Sequence, residues 1–124
     1  YFYGAQAEQF SFYRIPKALF TEPNFRELST DAKVLYGILL DRMSLSLKNQ
    51  WLDAQNKVYI IFTVEEIMDA LNCANQKATR LMVELEKQAG LIERKRQGLG
   101  RPNLIYVKNF AATINDKSCE KGDS

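Results

Sequence analysis

The run Glu86-Lys87-Gln88-Ala89-Gly90-Leu91-Ile92-Glu93-Arg94-Lys95-Arg96, then Gln97-Gly98-Leu99-Gly100-Arg101-Pro102-Asn103 and Leu104-Ile105-Tyr106-Val107, decides the fold. A helical pattern beginning near residue 74 stops at Gly90, a residue that takes the left-handed turn closing many helices. Two β-type runs, 91–96 and 104–107, follow on either side of a Gly/Pro/Asn turn. A helix stopped by glycine and continued straight into a basic hairpin is the layout of a recognition helix followed by a wing. It sets two cationic elements side by side, as a rigid polyanion such as duplex DNA requires.

Upstream, Thr63-Val64-Glu65-Glu66 is a capping box, with Phe62 and Ile67 at the hydrophobic-staple positions. It predicts a short helix that ends near Asn72, with Ile67, Met68, Ala70 and Leu71 available for burial. The next helix spans roughly 74–89, with an N-cap among Asn72, Cys73 and Ala74. Its apolar stripe is Ala74, Ala78, Leu81, Met82, Leu85 and Ala89. The two helices have helix-turn-helix spacing, which an ordinary helical hairpin shares. The outer face of the second helix favours the nucleic-acid reading. It carries Asn75, Gln76, Lys77, Thr79 and Arg80, with Val83 and Lys87 beyond, and no acid lies between Asp69 and Glu84. Asn and Gln pair bidentately with adenine, Arg with guanine, and Lys meets phosphate or guanine.

The hairpin adds Arg94, Lys95, Arg96 and Arg101 against one acid, Glu93. Gly98 and Gly100 permit positive φ and close approach to a backbone, Pro102 stiffens the return, and Asn103 completes the candidate DNA-binding set. The competing reading is a charged hairpin that only aids solubility. Four cations beside a polar helix face weigh against it.

Leu28-Ser29-Thr30-Asp31 predicts an earlier helix start, with Ser29 or Thr30 as N-cap and Asp31 facing the positive end of the helix dipole. Leu28, Ala32, Leu35, Tyr36, Leu39 and Met43 form one stripe, and the helix should end near 44–48. Between the helices, 51–53 and the β-branched run 58–62 flank 54–57 and predict a small hairpin, with Trp51 as a core or hairpin anchor. Residues 1–13 hold six aromatics, too many for a solvated tail. They read as an arm that packs on a surface, with 12–15 a short edge strand limited by Pro16.

The fold class expected is α+β: a winged helix-turn-helix with a three-helix core, a small β-hairpin wing and an N-terminal aromatic arm. Residues 1–27 form the arm and first strand, 28–110 the winged-helix domain, and 111–124 the start of an interdomain linker.

Charge supports this division. Residues 1–76 hold seven Lys/Arg and nine Asp/Glu, 77–108 eight and three, and 109–124 two and three, so a net +2 conceals a local +5. The chain of 124 residues has no His, which excludes Ser–His–Asp catalysis and ordinary His zinc sites. Its two cysteines, Cys73 and Cys119, form no CxxC and read as reduced cytosolic thiols. Glu65 and Glu66 serve helix capping and the dipole rather than a carboxylate pair. No catalytic residue, metal site or cofactor is expected, and the location expected is cytoplasmic. No membrane span or secretory leader is visible, and the absence of an initiator Met is expected of a fragment or processed form.

Several separated phrases agree in order with one family. Phe12-Tyr13-Arg14-Ile15-Pro16-Lys17-Ala18-Leu19-Phe20, Leu28-Ser29-Thr30-Asp31-Ala32-Lys33-Val34-Leu35-Tyr36, Leu40-Asp41-Arg42 and Val58-Tyr59-Ile60-Ile61-Phe62-Thr63 resemble the N-terminal domain of RepA_N plasmid replication initiators, typical of low-GC Gram-positive bacteria and especially of staphylococcal plasmids. The resemblance covers about residues 10–110. It implies a winged helix that binds repeated sequences at a plasmid origin, acts as a dimer, uses no cofactor, and meets host replication proteins through a separate C-terminal domain. A winged-helix transcriptional regulator at a promoter operator is the alternative. A purely protein-binding module is disfavoured, because residues 75–80 are polar and cationic where such a face would be aromatic.

Overall fold

The computed structural model describes Tyr1, Tyr3, Gly4 and residues 11–111. Four α-helices and a two-stranded antiparallel sheet follow in the order α1 (Ala18–Thr21), a 3-10 turn (Pro23–Phe25), α2 (Thr30–Lys48), α3 (Val64–Leu71), α4 (Asn75–Val83), a π-helical turn (Glu84–Gln88), β1 (Ile92–Lys95) and β2 (Leu104–Val107). This is the winged helix-turn-helix that the sequence predicts.

The local start and stop signals act as expected. The Ser29 hydroxyl accepts from the Ala32 N–H and caps α2. Thr63 and Glu66 form the reciprocal capping box of α3. Asn72, at φ 50°, ends α3, and its N–H donates to the Met68 carbonyl. Gly90, at φ 64°, ends the segment that continues α4, so the chain reverses toward β1 without a Cβ penalty.

One core joins these elements. Leu35, Tyr36 and Leu39 of α2, Ile67 of α3, Leu81 and Leu85 of the α4 segment and Ile92 and Ile105 of the wing are all buried. Long-range hydrogen bonds hold the layers in register. The Tyr36 hydroxyl donates to the Lys108 carbonyl at 2.6 Å, tying α2 to the end of β2. Burial pushes this phenol up to about 12, against a smaller opposing effect of the Phe110 backbone.

Four expectations need correction or refinement. Ala70 and Ala74 are exposed, because Ala70 lies on the outer side of α3 and Ala74 is the N-cap of α4 rather than part of its stripe. Residues 12–15 form no strand. They run over α2 instead, where a Cβ on Gly37 would come within 2.8 Å of Ile15 Cγ1 and 3.1 Å of the Arg14 carbonyl oxygen. The small hairpin predicted at 51–62 forms but is shorter than expected: a bridge between Leu52 and Val58, flanked by the Asp53 N–H to Lys57 carbonyl bond at 3.0 Å and the Tyr59 N–H to Trp51 carbonyl bond at 3.3 Å. Ile60 pairs instead with Ile105, with both backbone hydrogen bonds at 2.9 Å. Extending the Leu52–Val58 register would set Ile60 opposite Gln50, an exposed residue at φ 61°, whereas pairing with β2 buries Ile60 and Ile105 together. Of the two roles expected for Trp51, the structure supports the hairpin anchor and not the core: it is exposed, stacks on Tyr59 across the bridge, and its carbonyl accepts from the Tyr59 N–H at 3.3 Å. The linker expected at 111–124 lies, apart from Ala111, outside the described residues, as does Cys119; Cys73 is a half-buried free thiol.

Candidate nucleic-acid interface

The turn 72–74 sets α4 across α3. The face of α4 that does not pack inward presents Asn75, Gln76, Thr79, Arg80 and Val83 to solvent, with Lys77 half-buried. Burial of Ala78, Leu81 and Met82 fixes this orientation, since the helical period sends the intervening positions outward. No acid stands in the first turn of α4, and Ala74 supplies no side-chain cap. The first N–H groups of α4 therefore have no side-chain acceptor, the state in which a helix start favours an anion. The Thr79 hydroxyl reaches the Asn75 side-chain oxygen at 3.5 Å. Lys77 Nζ meets Asp31 Oδ2 of α2 at 2.6 Å, but both side chains are about half exposed, so solvent screens the pair and a phosphate can compete for the lysine.

Two carboxylates of the π-helical turn join the α4 segment to its surroundings. Glu84 accepts from the Ser29 N–H and the Ser29 hydroxyl, both at 2.9 Å, which binds the start of α2 to the π-helical turn. Glu86 Oε2 accepts from the Arg94 N–H at 3.2 Å. Its Oε1 accepts from Arg94 Nε at 3.1 Å and from a terminal guanidinium nitrogen at 2.7 Å. The Arg94 hydrogen bonds hold the Glu86 carboxyl below its ordinary value, against the opposing effect of burial. Sequence reasoning assigned Arg94 to the DNA face. In the structure its guanidinium pairs with Glu86, which braces the wing root against the π-helical turn after α4, and Arg94 also lines the cleft between the wing and the helices.

The wing is antiparallel, in register Ile92↔Val107, Glu93↔Tyr106, Arg94↔Ile105 and Lys95↔Leu104. Its tip carries Arg96, Gly98, Gly100, Arg101 and Asn103, all exposed, as is Lys95 on β1. The tip is braced by a hydrogen bond from the Gln97 side-chain amide to the Pro102 carbonyl at 2.8 Å and by the Arg101 N–H to the Gly98 carbonyl at 3.3 Å. On the far side of the wing, the Tyr106 hydroxyl donates to Asp53 Oδ2 at 3.1 Å. Asp53 also accepts from the backbone of Gln55 and Lys57, and these bonds, led by that of Lys57, lower its carboxyl.

The helix and the wing meet. A cleft of about 400 Å³ is lined by Thr63, Val64 and Glu65 at the start of α3, by Asn75 of α4 and by Arg94, Arg101, Pro102 and Asn103 of the wing. Residues about 26 positions apart in sequence thus share one concave surface. Two residues outside the predicted set stand on the same exposed surfaces. Val83 lies on the outer face of α4 and Leu99 at the wing apex. Neither carries a polar signal that sequence reasoning would select. Among the described residues no cluster of three or more His, Cys, Asp or Glu could hold a metal ion, and no helix is long and apolar enough to cross a membrane.

The family model described as the N-terminus of replication initiator protein A (RepA) matches residues 11–121. The chain belongs to this RepA_N family. A curated relative, a "41 kDa protein" of Lactobacillus helveticus, is 32% identical over 103 residues, which are 83% of this chain and 28% of the relative. The chain thus spans 28% of the length of that relative. Among solved structures, an N-terminal domain of a DNA binding protein is 36% identical with a TM-score of 0.74, covering 100% of this chain and 96% of the other. A Rep–DNA complex is likewise 36% identical, with a TM-score of 0.72 and coverages of 100% and 97%. An MDR initiator is 38% identical, with a TM-score of 0.69 and coverages of 95% and 98%.

Proposed function

We propose that this RepA_N domain binds double-stranded DNA at the repeated sites of a plasmid replication origin and thereby helps initiate plasmid replication. The observation that carries the reading is the convergence of Asn75 on α4 with Arg101 and Asn103 on the wing in one cleft. It occurs in a chain that matches a Rep–DNA complex along its whole length. In this reading α4 lies in the major groove, where Asn75, Gln76, Thr79 and Arg80 read base edges and Lys77 exchanges Asp31 for phosphate. Lys95, Arg96, Arg101 and Asn103, with the Gly98 and Gly100 backbone, follow the phosphates toward the adjacent minor groove. Arg94 acts indirectly, by fixing the angle between wing and helix.

The domain acts as a non-catalytic cytoplasmic homodimer that uses the aromatic N-terminal region as its contact. Host replication proteins are met through a further C-terminal domain beyond the residues 28–110 that form the winged-helix unit. Support for the dimer comes from Phe12 and Tyr13, which remain 69% and 59% exposed although Arg14 and Ile15 lie against α2.

Footprinting on DNA flanking the gene tests the proposal. Protection of several direct repeats is the expected result. Protection of a single promoter palindrome would instead make the domain a transcriptional regulator, and no protection would remove the DNA-binding reading altogether.

A further inference from the structure

The wing apex is apolar. Leu99 is 104% exposed, as open to solvent as the side chain can be, in a tip whose other side chains are polar, cationic or proline. A lone exposed leucine is ordinary on a protein surface, but three features separate this one. Gly98 and Gly100 flank it with φ of 117° and 77°, and a Cβ at either position would meet nothing within 4 Å. The glycines therefore answer a backbone requirement and not a shortage of room, and they leave the apex slender. The Gln97–Pro102 and Arg101–Gly98 hydrogen bonds hold the turn in shape, so Leu99 is presented by a braced loop. Exposed Arg96 and Arg101 bracket it, and no acid occurs from residue 94 to residue 115.

We infer that Leu99 enters the DNA minor groove and acts there as a specificity determinant for A·T pairs, a role that rests on the DNA-binding reading above. The minor groove is about 6 Å wide, and its floor at an A·T pair carries acceptors and no projecting amine. A G·C pair adds the guanine 2-amino group at the same place. A leucine pressed to the floor is compatible with the first surface. Against the second it collides with the projecting amine. Arg96 and Arg101 are placed to hold the phosphates on the two sides, and the stronger negative potential of narrow A·T-rich grooves draws both inward. The recognition helix and the wing then read different things: α4 reads hydrogen-bond patterns, and Leu99 reads the absence of an amine.

The test uses the whole chain and a duplex that the wild-type protein selects from a randomised library. Pairs beside the major-groove site are changed one at a time from A·T to G·C, to inosine·C, which lacks the 2-amino group, and to 2,6-diaminopurine·T, which adds it. The wild type should bind A·T and inosine·C alike and should bind G·C and diaminopurine·T about five- to tenfold more weakly, the scale of burying part of one leucine side chain. Leu99→Ala should lose affinity for the A·T duplex and bind all four within about twofold, while Leu99→Met should restore the preference. Because Leu99 is fully exposed, a circular dichroism melt of Leu99→Ala should match the wild type. The inference fails if Leu99→Ala keeps the full preference, or if the wild type follows A·T against G·C irrespective of the 2-amino group. A wild-type chain that selects no duplex would defeat the DNA-binding reading, and this inference with it. Selection without a Leu99 effect would defeat this inference alone.

Discussion

Arg94 separates two readings of the wing, and replacing it or its partner Glu86 distinguishes them. Three hydrogen bonds join the pair, at 3.2, 3.1 and 2.7 Å, and the side chains are only 27% and 17% exposed. At this burial, charge-assisted hydrogen bonds are worth about 1.5–3 kcal/mol, and deleting one partner strands the other. Glu86→Ala and Arg94→Ala should each cost about 2 kcal/mol in urea unfolding followed by circular dichroism. The double-mutant cycle should return a coupling of about 1–2 kcal/mol, and a chain of 124 residues loses about 4 °C in Tm per kcal/mol. Glu86→Gln keeps the shape and loses the charge, so its cost should be about 1 kcal/mol. The folded carboxyl is held below its ordinary 4.5. Its stabilisation is therefore complete above that value and disappears as pH falls through the lower folded value, so Glu86→Gln should flatten the acid limb of the stability profile. DNA binding supplies the second readout. A brace has no phosphate partner, so folded Arg94→Ala should bind more weakly with an unchanged salt slope. An Arg94→Ala protein of wild-type stability whose salt slope falls by about one unit would show that Arg94 leaves Glu86 for a phosphate, and the brace would be wrong.

Changing Arg80 to Ala should cost about 1–3 kcal/mol of binding and relax preference at one base position, measured with singly substituted duplexes; unchanged affinity and preference would remove α4 from the groove. Arg96→Ala and Arg101→Ala should each weaken binding to all sequences alike and flatten the salt slope by about one unit, so loss of cognate binding alone would assign them to base reading. Tyr36→Phe should cost about 1 kcal/mol through loss of the hydrogen bond to Lys108. The native phenol titrates at about 12 against an ordinary 10.0, so its stabilisation is intact below 10 and lost as pH rises toward 12. The variant should remove that alkaline loss in a urea series. Deleting residues 1–13 should convert a dimer to a folded monomer that binds DNA more weakly, read by sedimentation. A full chain that is already monomeric, or a truncation that stays dimeric, would show that Phe12 and Tyr13 serve their own domain.

What the sequence determined by itself lies within a few residues of chain. The Ser29 cap, the Thr63–Glu66 box, the stop at Gly90 and the inward stripe of Ala78, Leu81, Met82 and Leu85 follow from hydrogen bonds and periodicities that close within one or two helical turns. These signals were enough to read a helix-turn-helix with a wing and to turn Gln76, Thr79 and Arg80 outward. The outcomes that needed the tertiary structure depend on which distant partner wins. The segment 58–60 bridges Leu52 locally, but Ile60 finds its partner in the distant Ile105 of β2, and both are buried there. Glu84 finds Ser29 across 55 residues, and Tyr36 finds Lys108 across 72, with no local pattern announcing either. A count of cations likewise cannot say which are free. Arg94 and Arg96 read alike in sequence, but strand alternation turns Arg94 toward Glu86, while Arg96 stands beyond the end of β1 in solvent. Leu99 is the converse, an apolar residue whose use depends on nothing in the fold covering it.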